Sequence, residues 1–444
     1  MGNGADNQYN LYHALSPAQG CTTPLPQPIK VVGCGSSGVD YLASVAAYPK
    51  PDQKLRTETL ETQGGGNCAN ALTATARLGL SPTIITKIGG DGLGDGIISE
   101  LEADGVDTSL VLRAKGSPSP FTYIIVDRSG GTRTCIHTPG EPMTPSDMSD
   151  ALIAAALSGA ALVYFDGRLT EAALLLARAA RARGVPVLVE GERLRPGLEA
   201  LLAEADYVVT SAHFPQEWTG EATIGDAMVA LAQRLPRARV IITTRGTKGS
   251  VLLRRAGSGE QPSGPPRPLD DIIADLEAES LSTHRGQGNG SADCISLNGI
   301  ALSGGDVAST KGVEALMFWG GRDEGSAKQR AAAAAEAEAA RNAGGGAAAG
   351  YQATAVGAPG ADAVLAQVFV SPAAGLPSDL VVDTTGAGDS FIGSVIYGLV
   401  TGMAVDRLMR LGAVVAACKC TALGARQGLP RRQQLTAELL GAQR

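Results

Sequence analysis

Residues Leu380–Phe391 read Leu-Val-Val-Asp-Thr-Thr-Gly-Ala-Gly-Asp-Ser-Phe, the most informative sequence in the chain. The apolar start predicts a short buried strand, and the small and apolar residues that continue to Leu399 predict a helix. Glycines at such a junction let consecutive backbone N–H groups point inward, and the helix N-terminus adds about half a positive charge. The backbone of Gly386, Ala387 and Gly388 is therefore predicted to form a nest for a phosphoryl anion.

Asp389 is the candidate catalytic base, because it falls in the first turn of the predicted helix, beside the nest. In that position a carboxylate can accept the proton of a substrate hydroxyl while the backbone amides hold the transferred group. An aspartate in a first helical turn is also a common N-terminal cap. The complete sequence from the apolar run through the glycines into the helix favours the catalytic role.

Between residues 29 and 255, short apolar runs alternate with longer segments of helical periodicity. The predicted strands are Ile29–Gly35, Leu80–Ile88, Leu162–Phe165, Val185–Glu190, Tyr207–Thr210 and Val240–Thr244. The predicted helices between and after them are Asn67–Leu78, Gly94–Leu101, Thr170–Arg183 and Thr223–Leu235. Strands that alternate with helices of about 10–15 residues indicate parallel βαβ units, and hence an α/β fold.

Two stretches interrupt this alternation and predict a small β lid beside the main sheet. Gln53–Gln63 and Phe121–His137 alternate apolar and polar residues and are rich in threonine, which suits half-exposed antiparallel strands. The lid is expected to include about 40–63 and 120–137.

The interval 256–367 differs in composition from the rest of the chain. It contains proline-rich and glycine-rich stretches, and 16 of the 20 residues of Ala331–Gly350 are Ala or Gly. Such a composition buries too little apolar surface to offset the entropy of ordering, so we predict a low-complexity, disordered insertion. Short helices over Leu269–Leu281 and Ala331–Arg341 need not dock. Residues 1–28 are predicted to be a flexible tail, and 368–444 to complete the α/β domain with helices at Val405–Leu423 and at the C-terminus.

Composition and charge exclude several classes of protein. The 444 residues carry 37 Lys and Arg against 44 Asp and Glu, and no clustered basic face, so nucleic-acid binding is not expected. No apolar stretch reaches the roughly 18 residues that cross a bilayer, so no membrane association is expected. The seven scattered cysteines favour a reducing compartment, and the first 28 residues show no targeting signal, so the expected location is the cytoplasm.

The chain resembles the PfkB/ribokinase family of carbohydrate kinases. Besides the Gly-Ala-Gly-Asp sequence it carries Gly64-Gly-Gly-Asn-Cys-Ala-Asn70, and both motifs lie where that family places them. The resemblance covers most of 29–255 and 368–430, and within the family it is greatest for ketohexokinase-like members. It implies a ribokinase-like three-layer α/β/α sandwich with a mostly parallel central sheet and a small β lid.

The resemblance also implies a sugar site built from the first part of the chain. Asp40, Gly66, Asn67 and Asn70 would contact sugar hydroxyls, and Asp52 of the lid would reach the sugar of a partner subunit. Amides and carboxylates read adjacent hydroxyls, and glycines permit the close approach that this requires. A turn and a helix cap are the alternative roles of the two asparagines, and a strand end is the alternative role of Asp40; the sugar-binding roles are favoured.

The resemblance also implies contacts to the nucleotide and its phosphates from several places in the sequence. Arg133 matches a lid arginine that faces the phosphate and could clamp it bidentately, although a solvated strand-edge charge is an equal alternative. The predicted nucleotide contacts are Thr244, Gly246, Gly249, Gly388 and Cys420. A plain hairpin turn explains the first two glycines equally well.

The chain departs from the family pattern at two places. The stretch Thr210–Glu217 has no asparagine, so the usual Asn-x-x-Glu metal network is not intact. Glu190 and Glu192 resemble an acidic pair of ketohexokinase and are the candidate Mg²⁺ residues, acting through water. Ile392 stands where ketohexokinase has an asparagine, which puts fructose itself in doubt as the substrate.

The resulting hypothesis is an ATP-dependent phosphorylation of a hydroxyl on a small ketose or pentose, with Mg²⁺ as cofactor. Activation by K⁺ and a homodimer through the lid are left open. A nucleoside or another small alcohol is the nearest alternative substrate. A non-catalytic, fructokinase-like scaffold is an alternative of a different class; such proteins often lose the base, whereas this chain retains Asp389.

Overall fold

The computed structural model describes residues 21–130, 132–256, 267–284, 294–297, 300–303, 311–319 and 363–441. Residues 1–20 of the predicted flexible tail lie outside the described residues. The predicted helix at 331–341 and the Ala/Gly-rich run that contains it also lie outside them. In the described part of the chain, no helix is both long enough and apolar enough to cross a bilayer.

The central sheet contains nine strands within the described residues. They are β1 (Lys30–Cys34), β4 (Ser81–Ile85), β9 (Ala160–Phe165), β10 (Val187–Gly191), β11 (Tyr207–Thr210), β12 (Val240–Thr244), β13 (Ser250–Arg255), β16 (Lys311–Trp319) and β17 (Ala363–Ser371). Their order across the sheet is β16-β17-β13-β12-β11-β10-β9-β1-β4. The six strands from β12 to β4 are mutually parallel, and β13, β17 and β16 add an antiparallel edge.

Helices cover both faces of this sheet and bury two separate apolar cores. One face carries α1 (Asn67–Arg77), α2 (Gly92–Ala103), α9 (Ala387–Val400) and α10 (Val405–Lys419). The other carries α3 (Asp150–Leu157), α4 (Thr170–Ala182), α5 (Leu198–Leu202), α6 (Phe214–Thr219), α7 (Ile224–Arg234) and α8 (Leu269–His284). Consecutive residues of β1, Val31 and Val32, point into the two different cores, as strand geometry requires. The expected three-layer α/β/α sandwich is confirmed.

A four-stranded lid lies beside the sheet. It consists of β2 (Gly38–Val45), β3 (Thr59–Gly65), β7 (Phe121–Asp127) and β8 (Thr132–Thr138), in the order β3-β2-β7-β8. The predicted stretch at 121–137 is therefore a hairpin, whereas residues 53–58 form no strand. Side chains alternate across the lid, so the face that carries Asp40 also carries Thr122, and Tyr41 and Tyr123 share the opposite face. Two small pairs complete the described strands: β5 (Lys87–Gly89) with β6 (Leu112–Ala114), and β14 (Cys294–Leu297) with β15 (Ile300–Ser303).

The prediction of a strand directly before the Gly-Ala-Gly-Asp sequence is wrong. Leu380 ends a short 3₁₀ helix, and Val381 and Val382 are exposed. The N–H groups of Val382 and Asp383 both donate to the carbonyl of Cys420, so this backbone pairs with the loop after α10 instead of with the sheet. The strand that precedes the motif is β17, which ends at Ser371.

Two further predictions near the C-terminus and in the interval 256–367 need correction. The predicted C-terminal helix is a 3₁₀ turn at Arg432–Gln434, which follows Pro430. Helix α8 forms as predicted but docks, and β16 and the start of β17, both within 256–367, extend the main sheet. Composition could not reveal this docking, because it depends on a few apolar residues within an otherwise polar interval.

Candidate active site

The Gly386–Asp389 segment forms the N-terminus of α9, at the end of the loop that follows β17. Gly386 has a φ of 76°, and a Cβ at this position would lie 2.8 Å from the backbone of Ala425, so glycine is required here. Asp383 shapes the preceding turn, because its carboxylate accepts the N–H groups of Thr385 and Gly424 at 2.9 Å. Burial opposes ionisation of Asp383, but the Lys419 charge and these hydrogen bonds hold its pKa below the ordinary value.

Asp389 lies in the first turn of α9 and is buried. Its Oδ2 accepts a hydrogen bond of 2.8 Å from Asn70 Nδ2, so the structure brings the predicted base and a predicted sugar ligand together. Burial raises the pKa of Asp389 to about 7, the Asn70 hydrogen bond acts in the opposite direction, and the charge of Glu192 raises the pKa further. A carboxyl group with such a pKa can take up and release a proton near neutral pH.

Arg426, which the sequence analysis did not single out, is fully buried behind these two residues. Its Nε donates to Asn70 Oδ1 at 2.9 Å, and its Nη2 donates to the carbonyl of Gly65 at 3.0 Å. Asn70 therefore has its oxygen held by Arg426, which leaves its NH₂ group directed at Asp389. An arginine between Gly424 and Gly428 in an apolar segment was the available signal.

Asp40 lies on β2 of the lid and faces the glycines that precede α1. A Cβ on Gly65 would come within 2.4 Å of the Asp40 carboxylate, so the glycine permits the approach. Burial raises the pKa of Asp40 to about 6, and the charge of Arg426 and a hydrogen bond from Thr122 act in the opposite direction. Gly66, with a φ of 92°, makes the turn that starts α1.

Asn67, at the start of α1, contacts the candidate metal ligands. Its Nδ2 lies 3.4 Å from both Glu190 Oε1 and Glu192 Oε2, and its Oδ1 accepts from Arg168 Nη2 at 3.1 Å. Tyr164 donates to the other oxygen of Glu190 at 2.8 Å. Burial, followed by the charge of Asp389, raises the pKa of Glu190. Both carboxylates therefore already have protein partners, and in the described residues no group of three or more His, Cys, Asp or Glu is arranged to hold a metal ion.

Asp166 and Arg168 follow the carboxyl end of β9 and were not predicted. Asp166 Oδ2 accepts from the N–H and hydroxyl of Ser36, at 2.7 and 2.6 Å, and from the N–H of Cys68 at 3.3 Å. It thereby joins the ends of β1 and β9 to the start of α1. Arg168 also donates to Glu192 at 2.8 Å. Their position was the available signal, because the carboxyl ends of parallel strands form the ligand-binding edge of such a sheet.

The lid contributes one predicted residue to the motif and leaves another distant. Arg133 on β8 donates to Thr384 Oγ1 at 2.7 Å and lies 3.6 Å from Asp383. Asp52 is exposed and has a φ of 62°. It follows the last residue of β2, whereas Asp40 lies near the first residue of that strand. Within one chain, Asp52 is therefore not part of the cluster.

The predicted nucleotide residues lie in two places. Thr244, Gly246 and Gly249 belong to the turn between β12 and β13, which includes a 3₁₀ helix at Gly246–Lys248. Cys420 meets the motif through its carbonyl oxygen, which accepts from Val382 and Asp383, and not through its thiol. A Cβ on Gly249 would collide with the carbonyl of Ser371. The turn therefore lies against the end of β17, the strand that precedes the motif.

Comparison with known families agrees with this geometry. A profile of the pfkB family carbohydrate kinases matches residues 30–271 and 324–432. The chain belongs to the pfkB family. Both of the family motifs identified in the sequence lie within the matched residues, and the expected family membership is confirmed.

Relatives within the pfkB family include several ribokinases. Ribokinase from Staphylococcus aureus is 34% identical over 124 residues, which are 28% of this chain and 41% of that protein. Ribokinase from Bacillus subtilis is 23% identical over 239 residues, which are 53% of this chain and 78% of that protein. This chain thus spans less than half of the length of the first relative.

A solved pfkB-type structure supports the fold. Ribokinase from Arabidopsis thaliana, complexed with ribose and ATP, aligns with a TM-score of 0.60 and 18% identity over 94% of this chain and 100% of that chain. Identity at this level establishes the α/β/α architecture alone. The greater likeness to ketohexokinase-like members stays a prediction.

Proposed function

We propose that this chain is an ATP-dependent kinase that phosphorylates a hydroxyl group of a small sugar, a ketose or a pentose. The observation that carries the proposal is Asp389, buried at the N-terminus of α9 and hydrogen-bonded to Asn70. A proton acceptor, an anion nest and a polar pocket are the three parts that phosphoryl transfer to an alcohol requires.

In the proposed reaction Asp389 accepts the proton of the attacking hydroxyl. Asn70, Asn67 and Asp40 hold the neighbouring hydroxyls, and the backbone N–H groups at Gly386–Gly388 hold the γ-phosphoryl group. The contacts of Arg133 with Thr384 and Asp383, beside the nest, support a role for Arg133 in binding a phosphoryl oxygen. The lid excludes water from the closed site, which limits hydrolysis of ATP.

Mg²⁺ would neutralise the β- and γ-phosphate oxygens of bound ATP. Glu190 and Glu192 supply carboxylate oxygens, but both already accept protein hydrogen bonds. The donor set therefore fits an ion held mainly by water and by phosphate, as Mg²⁺ usually is, with the two glutamates acting through water. Whether K⁺ activates the enzyme is a separate prediction of the family likeness, as is a cytoplasmic location.

We also propose that the chain forms a homodimer through the outer face of the lid. This outer lid face carries the aromatic cluster Tyr41, Phe121 and Tyr123, with ring centroids 5.2–5.9 Å apart. Leu60 and Ile136 on the same face are more than half exposed. An apolar sheet face of this kind is typical of a surface that a second protein covers.

The experiment that tests the kinase proposal is an ADP-release assay on a panel of sugars and nucleosides with wild type and Asp389→Asn. We expect turnover on one or more ketoses or pentoses, and a kcat lowered about 10²-fold or more in the variant. Asp406→Asn is the matched control, because Asp406 lies exposed in the first turn of α10, away from the site.

Three results would contradict the proposal in different ways. Turnover confined to nucleosides would assign the alternative substrate class. An unchanged kcat in Asp389→Asn would remove the base. Absence of turnover on the whole panel would support the scaffold alternative.

A further inference from the structure

Helix α8 packs against the kinase domain although most of it lies outside the family match. The match stops at residue 271 and resumes at 324, whereas α8 runs from Leu269 to His284. The buried apolar residues of α8 join the core on its face of the sheet, and they are Leu269, Ile272, Ile273 and Leu276. This helix is therefore an integral part of the fold of this particular chain.

Asp270 fixes the start of α8 to the start of α7. Its carboxylate accepts the hydroxyl of Thr223 and, at 2.9 Å, the N–H of Gly225. A Cβ on Gly225 would lie 2.5 Å from the same carboxylate, so a glycine is needed at the contact. A carboxylate at a helix N-terminus also interacts favourably with the helix dipole.

Glu277, two turns further along α8, binds Arg245 in the turn between β12 and β13. The Glu277 carboxylate and the Arg245 guanidinium form a direct ion pair, and the Arg245 side chain is only 10% exposed. Arg245 Nη2 also donates to the carbonyl of Lys248 at 3.2 Å, and the Arg245 N–H donates to the carbonyl of Gly249 at 2.6 Å. Glu277 thus holds Arg245, and the other contacts of Arg245 define the shape of the turn between β12 and β13.

We propose that Glu277 is a positioning residue for nucleotide binding, through Arg245 and the Thr244–Gly249 turn. The inference rests on the proposed function, in which this turn contacts ATP. A nearly buried guanidinium that loses its carboxylate partner reorganises toward water, since an unpaired buried charge is strongly unfavourable. The turn held by Arg245 would then lose its shape, whereas the sugar pocket, on the lid side, would not.

The test compares Glu277→Ala and Glu277→Gln with wild type, using the full-length chain. We expect the KM for ATP and the Kd for ATP, measured by calorimetry, to rise about five-fold or more in Glu277→Ala, with the sugar KM and kcat within two-fold of wild type. Glu277→Gln, which keeps a hydrogen-bond acceptor and the packing, should lie between the two.

Asp275→Asn is the matched control on the same helix. Asp275 pairs with Arg267, both partners are exposed, and neither belongs to the turn. This variant should leave the affinity for ATP unchanged. In a double-mutant cycle, adding Glu277→Ala to Arg245→Ala should cost no further ATP affinity, because the two residues act as one unit.

Two outcomes would overturn the inference, and they are distinguishable from failure of the proposed function. If wild type is an active kinase but Glu277→Ala keeps its ATP affinity, the positioning role is wrong and the kinase proposal stands. If Glu277→Ala raises the KM values for ATP and sugar equally, the helix has a merely structural role. If wild type binds no ATP, both proposals fail.

Discussion

The hydrogen bond from Asn70 to Asp389 has two effects on the proposed base. It fixes the position of the carboxylate, and it lowers a pKa that burial alone would raise further. Because the base must be ionised to accept a proton, log(kcat/KM) should rise with pH below about 7 and level off above it.

Replacing Asn70 by alanine should move the rising part of this profile to higher pH. Loss of the hydrogen bond to the charged form raises the pKa of Asp389, so activity at pH 6 falls more than activity at pH 8. The pH dependence of kcat/KM between pH 5 and 9 measures this shift. In Asn67→Ala the profile should stay in place, because Asn67 contacts Glu190 and Glu192 instead. Equal shifts in both variants would show that the hydrogen bond does not control the base.

The sequence could reveal Asp389 and Asn70 because each belongs to a short contiguous motif with glycines at recognisable positions. Arg426 could not be recognised in the same way. Its role depends on Asn70, 356 residues earlier in the chain, and on the Gly65 carbonyl, and no local pattern records such a contact. Asp166 and Arg168 required knowing which strands lie side by side.

The segment after α10 is tied to α1 and to the end of β3 by the buried Arg426 side chain. Replacing Arg426 by methionine keeps most of the volume but removes the ion pair with Glu100 and the positive charge that acts on Asp40. We expect the free energy of unfolding to fall by about 2 kcal/mol or more, measured by urea denaturation, because a buried charged network is broken.

Arg431→Met is the matched control for this prediction. Arg431 lies in the same segment and pairs with Asp104, but its side chain is 54% exposed. Surface pairs of this kind contribute less than about 1 kcal/mol, so the control should be nearly neutral. Equal destabilisation by the two substitutions would mean that burial does not increase the contribution of Arg426 to the free energy of unfolding.

The sequence predicted best those strands that are buried on both faces. Strands β11 and β12 have the predicted bounds, because strands buried on both faces appear as uninterrupted apolar runs. The run Leu380–Val382 has the same composition, yet its N–H groups pair with Cys420, so composition alone gave the wrong structure. The docking of α8 depended on contacts to α7 and to the turn at Arg245, which are not local in sequence.

The outer lid face brings together several exposed apolar side chains, among them Leu60, Tyr123 and Ile136. Replacing both Tyr123 and Ile136 by serine should convert the proposed dimer to a monomer in sedimentation equilibrium, since these side chains are each 52% exposed in the single chain. Leu194→Ser, at a position 50% exposed but outside the lid, should leave the mass unchanged. A wild-type chain that sediments as a monomer would contradict the proposal.

The edge of the central sheet brings together two residues that are far apart in the sequence. Trp319 at the end of β16 pairs directly with Ala363 at the start of β17, although the two residues are 44 positions apart in the sequence. The entropic cost of bringing the two ends of a chain segment together grows only logarithmically with the length of the segment. A change in the number of residues between Trp319 and Ala363 should therefore cost little free energy of folding, provided that these two residues still pair.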